Sequence, residues 1–113
     1  MDELLVERVL RAVEQVPRGR LVAYGDIARL VGTGPRQVGS IMRHWGGNVS
    51  WWRVTNASGE LPVQLRDEAR QLWAREGILP GRNGHGAPMA RYRADLSTLA
   101  DAYDRACADL DPL

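Results

Sequence analysis

The chain has 113 residues, of which 44% are hydrophobic and 26% charged, and its net charge at neutral pH is +1. This length fits one domain with its own core, and the hydrophobic content excludes an intrinsically disordered chain. The single cysteine, Cys107, excludes an internal disulfide, and no apolar run suits a signal peptide or a membrane span. We therefore expect a monomeric, cytoplasmic protein that makes no membrane contact.

The charge is distributed unevenly along the chain. Between Arg18 and Arg53 there are six arginines and one acid, Asp26, which is a local balance of +5. Residues 97–113 contain four acids and one arginine, which is a local balance of −3. Lysine is absent, so every long basic side chain ends in a planar guanidinium, which suits forked hydrogen bonds to phosphates and bases.

The first predicted element is an amphipathic helix over residues 3–16, in which apolar side chains recur at helical spacing along one face. The Pro-Arg-Gly sequence at 17–19 predicts a turn that ends this helix. Residues 21–23, Leu-Val-Ala, are expected to form a short extended segment after the turn.

Two short helices separated by a glycine-containing break are predicted next. The first covers residues 26–31, and Gly-Thr-Gly at 32–34 interrupts the chain. Pro35 suits the first position of the second helix, which is expected to run to about His44, because the missing N–H of proline costs nothing there. This arrangement is typical of a helix-turn-helix. The side chains expected to be buried by the second helix are Val38, Ile41, Met42 and Trp45.

The outer face of this second helix presents small residues between two arginines. It carries Arg36, Gly39, Ser40 and Arg43. A glycine inside a helix costs about 1 kcal/mol relative to alanine, so its presence calls for a physical reason. Either the helix approaches another surface closely at Gly39, or Gly39 packs tightly against a neighbouring helix, and these residues alone leave both readings open.

The remainder of the chain is predicted as loops, short extended pieces and two helices. In chain order we expect a loop at 46–48, a buried or strained segment at 49–55, a turn at 56–59, a helix at 65–76, a surface loop at 80–88, an extended piece at 92–96 and a final helix at 97–110. Gly77 is placed to cap the helix at 65–76, and Cys107 is expected to be a packing residue. His44 and His85 are too isolated to predict a metal site, and no cofactor is expected.

Three segments, in this order and at this spacing, carry a family resemblance. They are Arg-Leu-Val-Ala-Tyr-Gly-Asp-Ile-Ala-Arg-Leu-Val-Gly at 20–32, Pro-Arg-Gln-Val-Gly-Ser-Ile-Met-Arg at 35–43, and Trp-Trp-Arg-Val at 51–54 followed by Asn56 and Gly59. Together they resemble the DNA-binding domain of the O6-alkylguanine-DNA alkyltransferases. In that family a Pro-Cys-His-Arg-Val motif carries the acceptor cysteine, and this chain has Ser-Trp-Trp-Arg-Val at 50–54. The chain is more similar to the alkyltransferase-like proteins, a sister group in which tryptophan commonly replaces that cysteine.

The resemblance covers residues 4–96 and implies both a fold and a function. The implied fold is α-rich with a few short strands and a winged-helix-like helix-turn-helix, as in the C-terminal domain of the alkyltransferases. Residues 1–113 are expected to form a single DNA-binding domain, to which 97–113 add a helix outside the resemblance. The implied function is that of a non-enzymatic sensor, which binds O6-alkylguanine in duplex DNA through the minor groove and flips the base. The implied partners are double-stranded DNA containing alkylated guanine and the nucleotide excision repair proteins that receive the complex.

The resemblance assigns DNA contacts to five residues of the helix-turn-helix. Tyr24, just before the first helix of the motif, is expected to turn the phosphate of the target nucleotide. Arg36 is expected to enter the base stack and fill the space left by the flipped base. Gly39 and Ser40 are small, so that the helix fits the minor groove, and Arg43 is expected to contact a backbone phosphate.

The lesion pocket is expected to be formed by Tyr24, Trp51, Trp52, Arg53, Gln64 and Arg66. An indole at position 51 cannot accept an alkyl group, because its nitrogen lone pair belongs to the aromatic system and no thiolate is present. It can stack on a flipped base, a contact worth about 1–3 kcal/mol. Relatives have a basic residue near the alkyl group, and Gln64 and Arg66 are both candidates for that position.

The residues after position 51 depart further from the active enzymes. There a histidine at the position of Trp52 and a glutamate at the position of Glu76 activate the cysteine, so the proton relay is broken at two positions. We expect Trp52 to donate its indole N–H to Glu76, and Arg53 to brace the loop through backbone carbonyls. Adjacent residues of an extended segment point to opposite sides, so Trp51 and Trp52 are not expected to share one core.

Two other classes of function remain open at the level of sequence. A helix-turn-helix also predicts a transcription regulator that reads an operator in the major groove, although Gly39 and Ser40 carry few groups for reading bases. An enzyme that uses another nucleophile, such as Cys107, would gain an alkyl group when incubated with alkylated DNA.

Overall fold

A computed structural model describes residues 2–113 and shows six α-helices and a two-stranded parallel sheet. The helices are α1 (Glu3–Glu14), α2 (Tyr24–Val31), α3 (Pro35–Trp45), α4 (Arg66–Glu76), α5 (Met89–Tyr92) and α6 (Leu96–Ala106). The strands are β1 (Val22–Ala23) and β2 (Val54–Thr55), and short 3₁₀ turns lie at Gly46–Asn48, Trp51–Arg53 and Val63–Leu65. The prediction of an α-rich fold with a few short strands is therefore confirmed. No helix within residues 2–113 is long and apolar enough to cross a membrane.

The first helix and the turn after it follow the prediction closely. The Asp2 carboxylate accepts the N–H of Leu4 at 2.9 Å and caps α1, and the helix ends two residues before the predicted boundary. Gly19 then adopts a left-handed backbone conformation with φ of 81°, which glycine tolerates without strain. This turn brings the chain into β1, whose Val22 lies opposite Val54 of β2.

The helix-turn-helix forms from α2 and α3, but α2 begins earlier than predicted. Tyr24 is the first residue of α2, whereas the sequence placed it just before the helix. The Asp26 carboxylate accepts the N–H of Ala23 at 2.8 Å, and this contact fixes the start of the helix two residues before the predicted one. Gly32 ends α2 with φ of 89°, and Pro35 opens α3 as expected.

The larger hydrophobic core joins α1, α2, α3 and α6. Val38 and Ile41 of α3 are fully buried in it, and Met42 packs against it from the side. The prediction that Trp45 is buried is wrong, because its side chain is 54% exposed. Trp45 is the last residue of α3 and therefore lies beyond the point where the helix covers the core. Cys107, just after α6, is buried in this core, as predicted for a packing residue.

A second, smaller core lies under α4 and the loops on either side of it. It contains Leu21, Leu61, Ala69, Trp73, Ile78, Ala87 and Tyr92. Trp51 and Trp52 both pack against this second core, which contradicts the expectation that the two indoles point to opposite sides. The expectation assumed an extended segment, whereas residues Trp51–Arg53 form a 3₁₀ turn that brings both rings to one side of the chain.

Candidate nucleic-acid interface

A cavity of about 580 Å³ opens beside α3. This volume is in the range typical of small-molecule sites. Its walls come from the first residue of α2, from α3, from the 3₁₀ turns that follow α3, and from the loop before α4. The lining residues are Tyr24, Gly39, Met42, Arg43, Gly46, Gly47, Trp51, Leu61, Pro62, Gln64 and Leu65. Most of these side chains are apolar, so the cavity suits a flat or apolar group that is withdrawn from water.

Two aromatic side chains of different character face this cavity. Tyr24 is half-buried, and burial raises the pKa of its hydroxyl, which therefore stays protonated at neutral pH and can donate a hydrogen bond. Trp51 is also half-buried, and its ring meets that of Trp52 edge to face, with centroids 5.8 Å apart and planes at 88°. This contact restricts the rotation of the Trp51 indole and presents it as a fixed surface to the cavity.

The outer face of α3 is unobstructed. Arg36 and Arg43 are exposed, and neither is in an ion pair with any residue in 2–113. A Cβ atom added at Gly39 would meet nothing within 4 Å, so the reading in which Gly39 packs against a neighbouring helix is wrong. Arg36 lies one turn before Gly39 and does not line the cavity. The first residue of α3 that lines the cavity is Gly39.

Gly39→Ala is expected to stabilise the fold. The site has room for the methyl group, and alanine restricts the unfolded chain, so we expect a gain of about 0.5–1 kcal/mol, or roughly 2–6 °C in Tm. Thermal unfolding followed by circular dichroism would measure the shift. Gly59→Ala is the matched control, because its Cβ would lie 1.9 Å from the Ala87 carbonyl oxygen and its φ is +76°, so it should destabilise. A lower Tm for Gly39→Ala would show that Gly39 is sterically restricted in the folded protein.

Behind the cavity wall, Glu76 is the centre of a buried polar network. Its Oε2 accepts the indole N–H of Trp52 at 2.8 Å and the Nη2 of Arg53 at 2.8 Å. Its Oε1 accepts the Nε of Arg53 at 3.0 Å and the backbone N–H of Gly19 at 2.9 Å. The predicted bond between Trp52 and Glu76 is thus present, and it occupies the carboxylate together with a two-point contact from Arg53.

This network holds Glu76 in its charged form. Burial by itself raises the pKa of the Glu76 carboxyl, but the hydrogen bonds from Arg53, Gly19 and Trp52 outweigh burial and hold the pKa below its usual value. The Arg53 guanidinium also donates to the carbonyl oxygen of Val16 at 2.9 Å, so it ties the turn at 51–53 to the end of the first helical segment. Arg53 therefore braces the turn mainly through the Glu76 carboxylate and through one backbone carbonyl, where the sequence suggested carbonyls alone.

The structure brings together only part of the predicted lesion pocket. Tyr24, Trp51 and Gln64 line the cavity, whereas Trp52, Arg53 and Arg66 do not. Trp52 and Arg53 turn inward to Glu76, and the Nε of Arg66 donates to the carbonyl oxygen of Leu61 at 3.0 Å. Of the two candidates for the polar position near the alkyl group, Gln64 is therefore the one on the cavity wall.

Sequence reasoning missed several apolar lining residues. Leu61, Pro62 and Leu65 come from the loop and 3₁₀ turn before α4, and no periodic pattern marks them. Met42 was assigned to the core from its helical spacing, yet it packs against the core and also lines the cavity. A side chain at the edge of an apolar helical stripe can contact both the core and the cavity. Helical spacing alone therefore could not show that Met42 has a place in the cavity wall.

The cysteine of the chain does not line the cavity. Cys107 is 4% exposed within the larger core, and burial raises the pKa of its thiol. It is therefore poorly placed to act as a nucleophile. Within residues 2–113, no group of three or more His, Cys, Asp or Glu side chains is arranged to hold a metal ion.

The chain is similar to known proteins in sequence and in structure. Residues 5–78 match the family described as the 6-O-methylguanine DNA methyltransferase DNA-binding domain. A "DNA base-flipping protein" of Escherichia coli (strain K12) is 33% identical over 98 residues, which is 81% of this chain and 75% of that protein. "Alkyltransferase-like protein 1" of Schizosaccharomyces pombe is 42% identical over 65 residues, which is 54% of this chain and 59% of that protein.

A solved structure supports the same relationship. The crystal structure of S. pombe Atl1 in complex with damaged DNA containing O6-carboxymethylguanine matches with a TM-score of 0.72 and 26% identity. The match covers 84% of this chain and 98% of that one. A second crystal structure, of S. pombe ATL in complex with DNA, matches with a TM-score of 0.71. The predicted resemblance in fold to an alkyltransferase-like domain is confirmed.

Proposed function

The chain belongs to the family of the 6-O-methylguanine DNA methyltransferase DNA-binding domain, and from this membership we propose that it is a non-enzymatic sensor of alkylated DNA. It binds O6-alkylguanine in duplex DNA, flips the base out and holds it in the cavity beside α3. The observation that carries this proposal is the cavity itself, which lies next to the exposed face of α3 and has Trp51 in its wall.

In this proposal the outer face of α3 enters the minor groove. Gly39 and Ser40 leave room for the groove walls, and Arg36 enters the base stack where the target base has left it. Arg43, which is exposed and lines the cavity mouth, contacts a phosphate. Tyr24 faces the cavity from α2 and donates its hydroxyl to the phosphate of the flipped nucleotide.

In this proposal the chain transfers no alkyl group, for reasons that lie at Trp51, at Trp52 and in the hydrogen bonds of Glu76. Trp51 offers no nucleophile at the cavity wall, and Trp52 offers no basic nitrogen for a proton relay. The Glu76 carboxylate accepts four hydrogen bonds within the fold, so it has no free position from which to activate another group. The bound lesion would then persist and be passed to nucleotide excision repair proteins. We place this exchange in the cytoplasm.

The carboxy-terminal helix belongs to the same proposed DNA-binding domain. Helix α6 packs on α1 and α2, and Leu99 and Tyr103 of α6 are buried in the larger core. Arg11 of α1 also pairs with Asp109 at 2.6 Å. One acid of residues 97–113, Asp109, is therefore complementary to α1, whereas Asp101 and Asp104 are exposed.

The test is a comparison of dissociation constants for two duplexes of one sequence, with O6-methylguanine or guanine at a single position. We expect the wild type to bind the damaged duplex more tightly, and Arg36→Ala to reduce that preference because the vacated stack is no longer filled. Equal affinities of the wild type for both duplexes would refute the sensor proposal. An Arg36→Ala variant with undiminished preference would instead refute the role of Arg36 alone.

A further inference from the structure

Three of the six arginines in residues 18–53 lie outside the helix-turn-helix, and one of them, Arg53, binds Glu76. Arg18 and Arg20 are in the turn before β1, and both are exposed. Arg75 at the end of α4 and Arg91 in α5 are also exposed, and hydrogen bonds join Arg18 to Arg75 and Arg20 to Arg91. We call this set, Arg18, Arg20, Arg75 and Arg91, the arginine ridge.

The ridge is held together by backbone carbonyls rather than by acids. The Nη2 of Arg18 donates to the carbonyl oxygen of Arg75, and the Nη1 of Arg20 donates to that of Arg91 at 3.4 Å. The guanidinium of Arg91 lies over the ring of Tyr92, 5.3 Å from its centroid. Each contact orients a guanidinium but leaves its charge uncompensated, and no ridge arginine is in an ion pair with a residue in 2–113.

Two acids near the ridge in sequence make other contacts, and the exposed Glu14, four residues before Arg18, is in no ion pair with a residue in 2–113. Glu76, next to Arg75, turns inward and binds Arg53. Asp95 accepts the N–H groups of Ser97 and Thr98 and caps α6. The ridge is thus a set of oriented positive charges without a partner in the fold, which is the arrangement found where arginines meet phosphates.

Arg20 of the ridge lies just before β1, and Tyr24 follows directly after β1. Leu21 pairs with Arg93 in a parallel bridge, so the Arg91 segment runs beside the residues that lead into β1. Arg93 in turn pairs with Asp26 and, with Tyr24, lines a second cavity of about 350 Å³ at the start of α2. At about 3.3 Å per extended residue, Arg20 lies roughly 13 Å along the chain from Tyr24.

We propose that the arginine ridge is a second DNA-contact surface, which binds phosphates of the duplex beyond the lesion. This proposal rests on the proposed function, because it takes Tyr24 as the contact at the flipped nucleotide. The 13 Å of chain between Arg20 and Tyr24 equals about four base-pair rises of 3.4 Å, so we place the ridge contacts within about four base pairs of Tyr24. The ridge contributes affinity that does not depend on the lesion, since phosphates carry no base identity.

The test uses the double variant Arg20→Ala/Arg91→Ala and the dependence of affinity on salt. Each lost phosphate contact lowers the slope of log K against log salt by about 0.9, so the double variant should lose about two in slope. Its affinity should fall by the same factor for damaged and undamaged duplexes, with the ratio between them unchanged.

Two control proteins complete the design. Arg105→Ala removes one positive charge from the exposed face of α6 and should leave the salt slope unchanged. Arg20→Lys/Arg91→Lys keeps the charge and should retain most of the slope. A wild-type slope in the Arg20→Ala/Arg91→Ala variant would overturn the ridge proposal, and would be expected if the ridge binds an acidic protein instead. A wild type that binds both duplexes equally, with a slope that still depends on the ridge, would overturn the sensor function and support the ridge.

Discussion

Glu76→Gln is expected to lower the free energy of unfolding by about 2–3 kcal/mol, because it leaves a largely buried guanidinium without its counter-ion. The side chains of Arg53 and Glu76 are 14% and 4% exposed, so water compensates only in part for the lost partner. A glutamine amide also places two N–H donors where Trp52 and Arg53 already donate. Such a loss is a large share of the stability of a small domain, and urea unfolding would measure it.

The charge of Glu76 also predicts a dependence of stability on pH. Its pKa is below the usual value in the folded state, so the unfolded chain takes up a proton first as the pH falls. The contribution of Glu76 is therefore complete above about pH 4.5 and is lost as the pH falls through the lower pKa of the folded state. The Glu76→Gln variant should lack this part of the acid dependence.

Glu14→Gln is the matched control for both measurements. Glu14 is exposed at the end of α1, and its replacement should change the free energy of unfolding by less than about 0.5 kcal/mol. If Glu76→Gln unfolded at the same urea concentration as Glu14→Gln, the network at Glu76 would not stabilise the fold.

Trp51→Ala is expected to weaken binding to an O6-methylguanine duplex by about 5- to 150-fold, the equivalent of about 1–3 kcal/mol for a lost aromatic stacking contact. Trp51 lines the cavity, and its orientation is set by the edge-to-face contact with Trp52. Affinity for undamaged DNA should stay close to that of the wild type, because the unflipped base does not enter the cavity. Fluorescence anisotropy with both duplexes gives the two constants.

Trp45→Ala and Trp51→Phe serve as controls for this effect. Trp45 is 54% exposed and does not line the cavity, so its loss should leave the preference for the lesion intact. Phenylalanine at position 51 keeps an aromatic face and should retain part of the affinity. A folded Trp51→Ala variant that still prefers damaged DNA as strongly as the wild type would show that Trp51 does not contact the flipped base.

The sequence predicted those features that depend on local chemistry. Gly32 and Pro35 mark the boundary between α2 and α3, because a left-handed residue and a residue without an N–H act on the backbone at their own position. The bond from Trp52 to Glu76 was also predicted, since both residues align with an interacting pair in relatives. The first kind of feature can be predicted from a residue and its near neighbours. The second kind can be predicted from a family in which the spacing of the two residues is the same.

The sequence could not predict features that depend on where an element ends in space. Trp45 has the spacing of a core residue, but its exposure depends on how far the core extends along α3. Trp51 and Trp52 point to one side because their turn is 3₁₀, and neither propensity nor alternation distinguishes that turn from a strand over three residues. The assignment of Gln64 rather than Arg66 to the cavity wall likewise depends on the direction of the Arg66 side chain, which is set by the Leu61 carbonyl.

By itself, then, the sequence determined the family, the helix-turn-helix and the replacement of a nucleophile by an indole at position 51, because each is a matter of residue identity at a given spacing. Only the tertiary structure decided which side chains share the cavity with Trp51, and that Arg53 and Trp52 instead donate hydrogen bonds to the Glu76 carboxylate behind it. It also joined Arg18 to Arg75 and Arg20 to Arg91 across three separate segments of the chain. The physical reason is that cavities and charged surfaces are formed by residues distant in sequence, whose proximity arises from the packing of both hydrophobic cores.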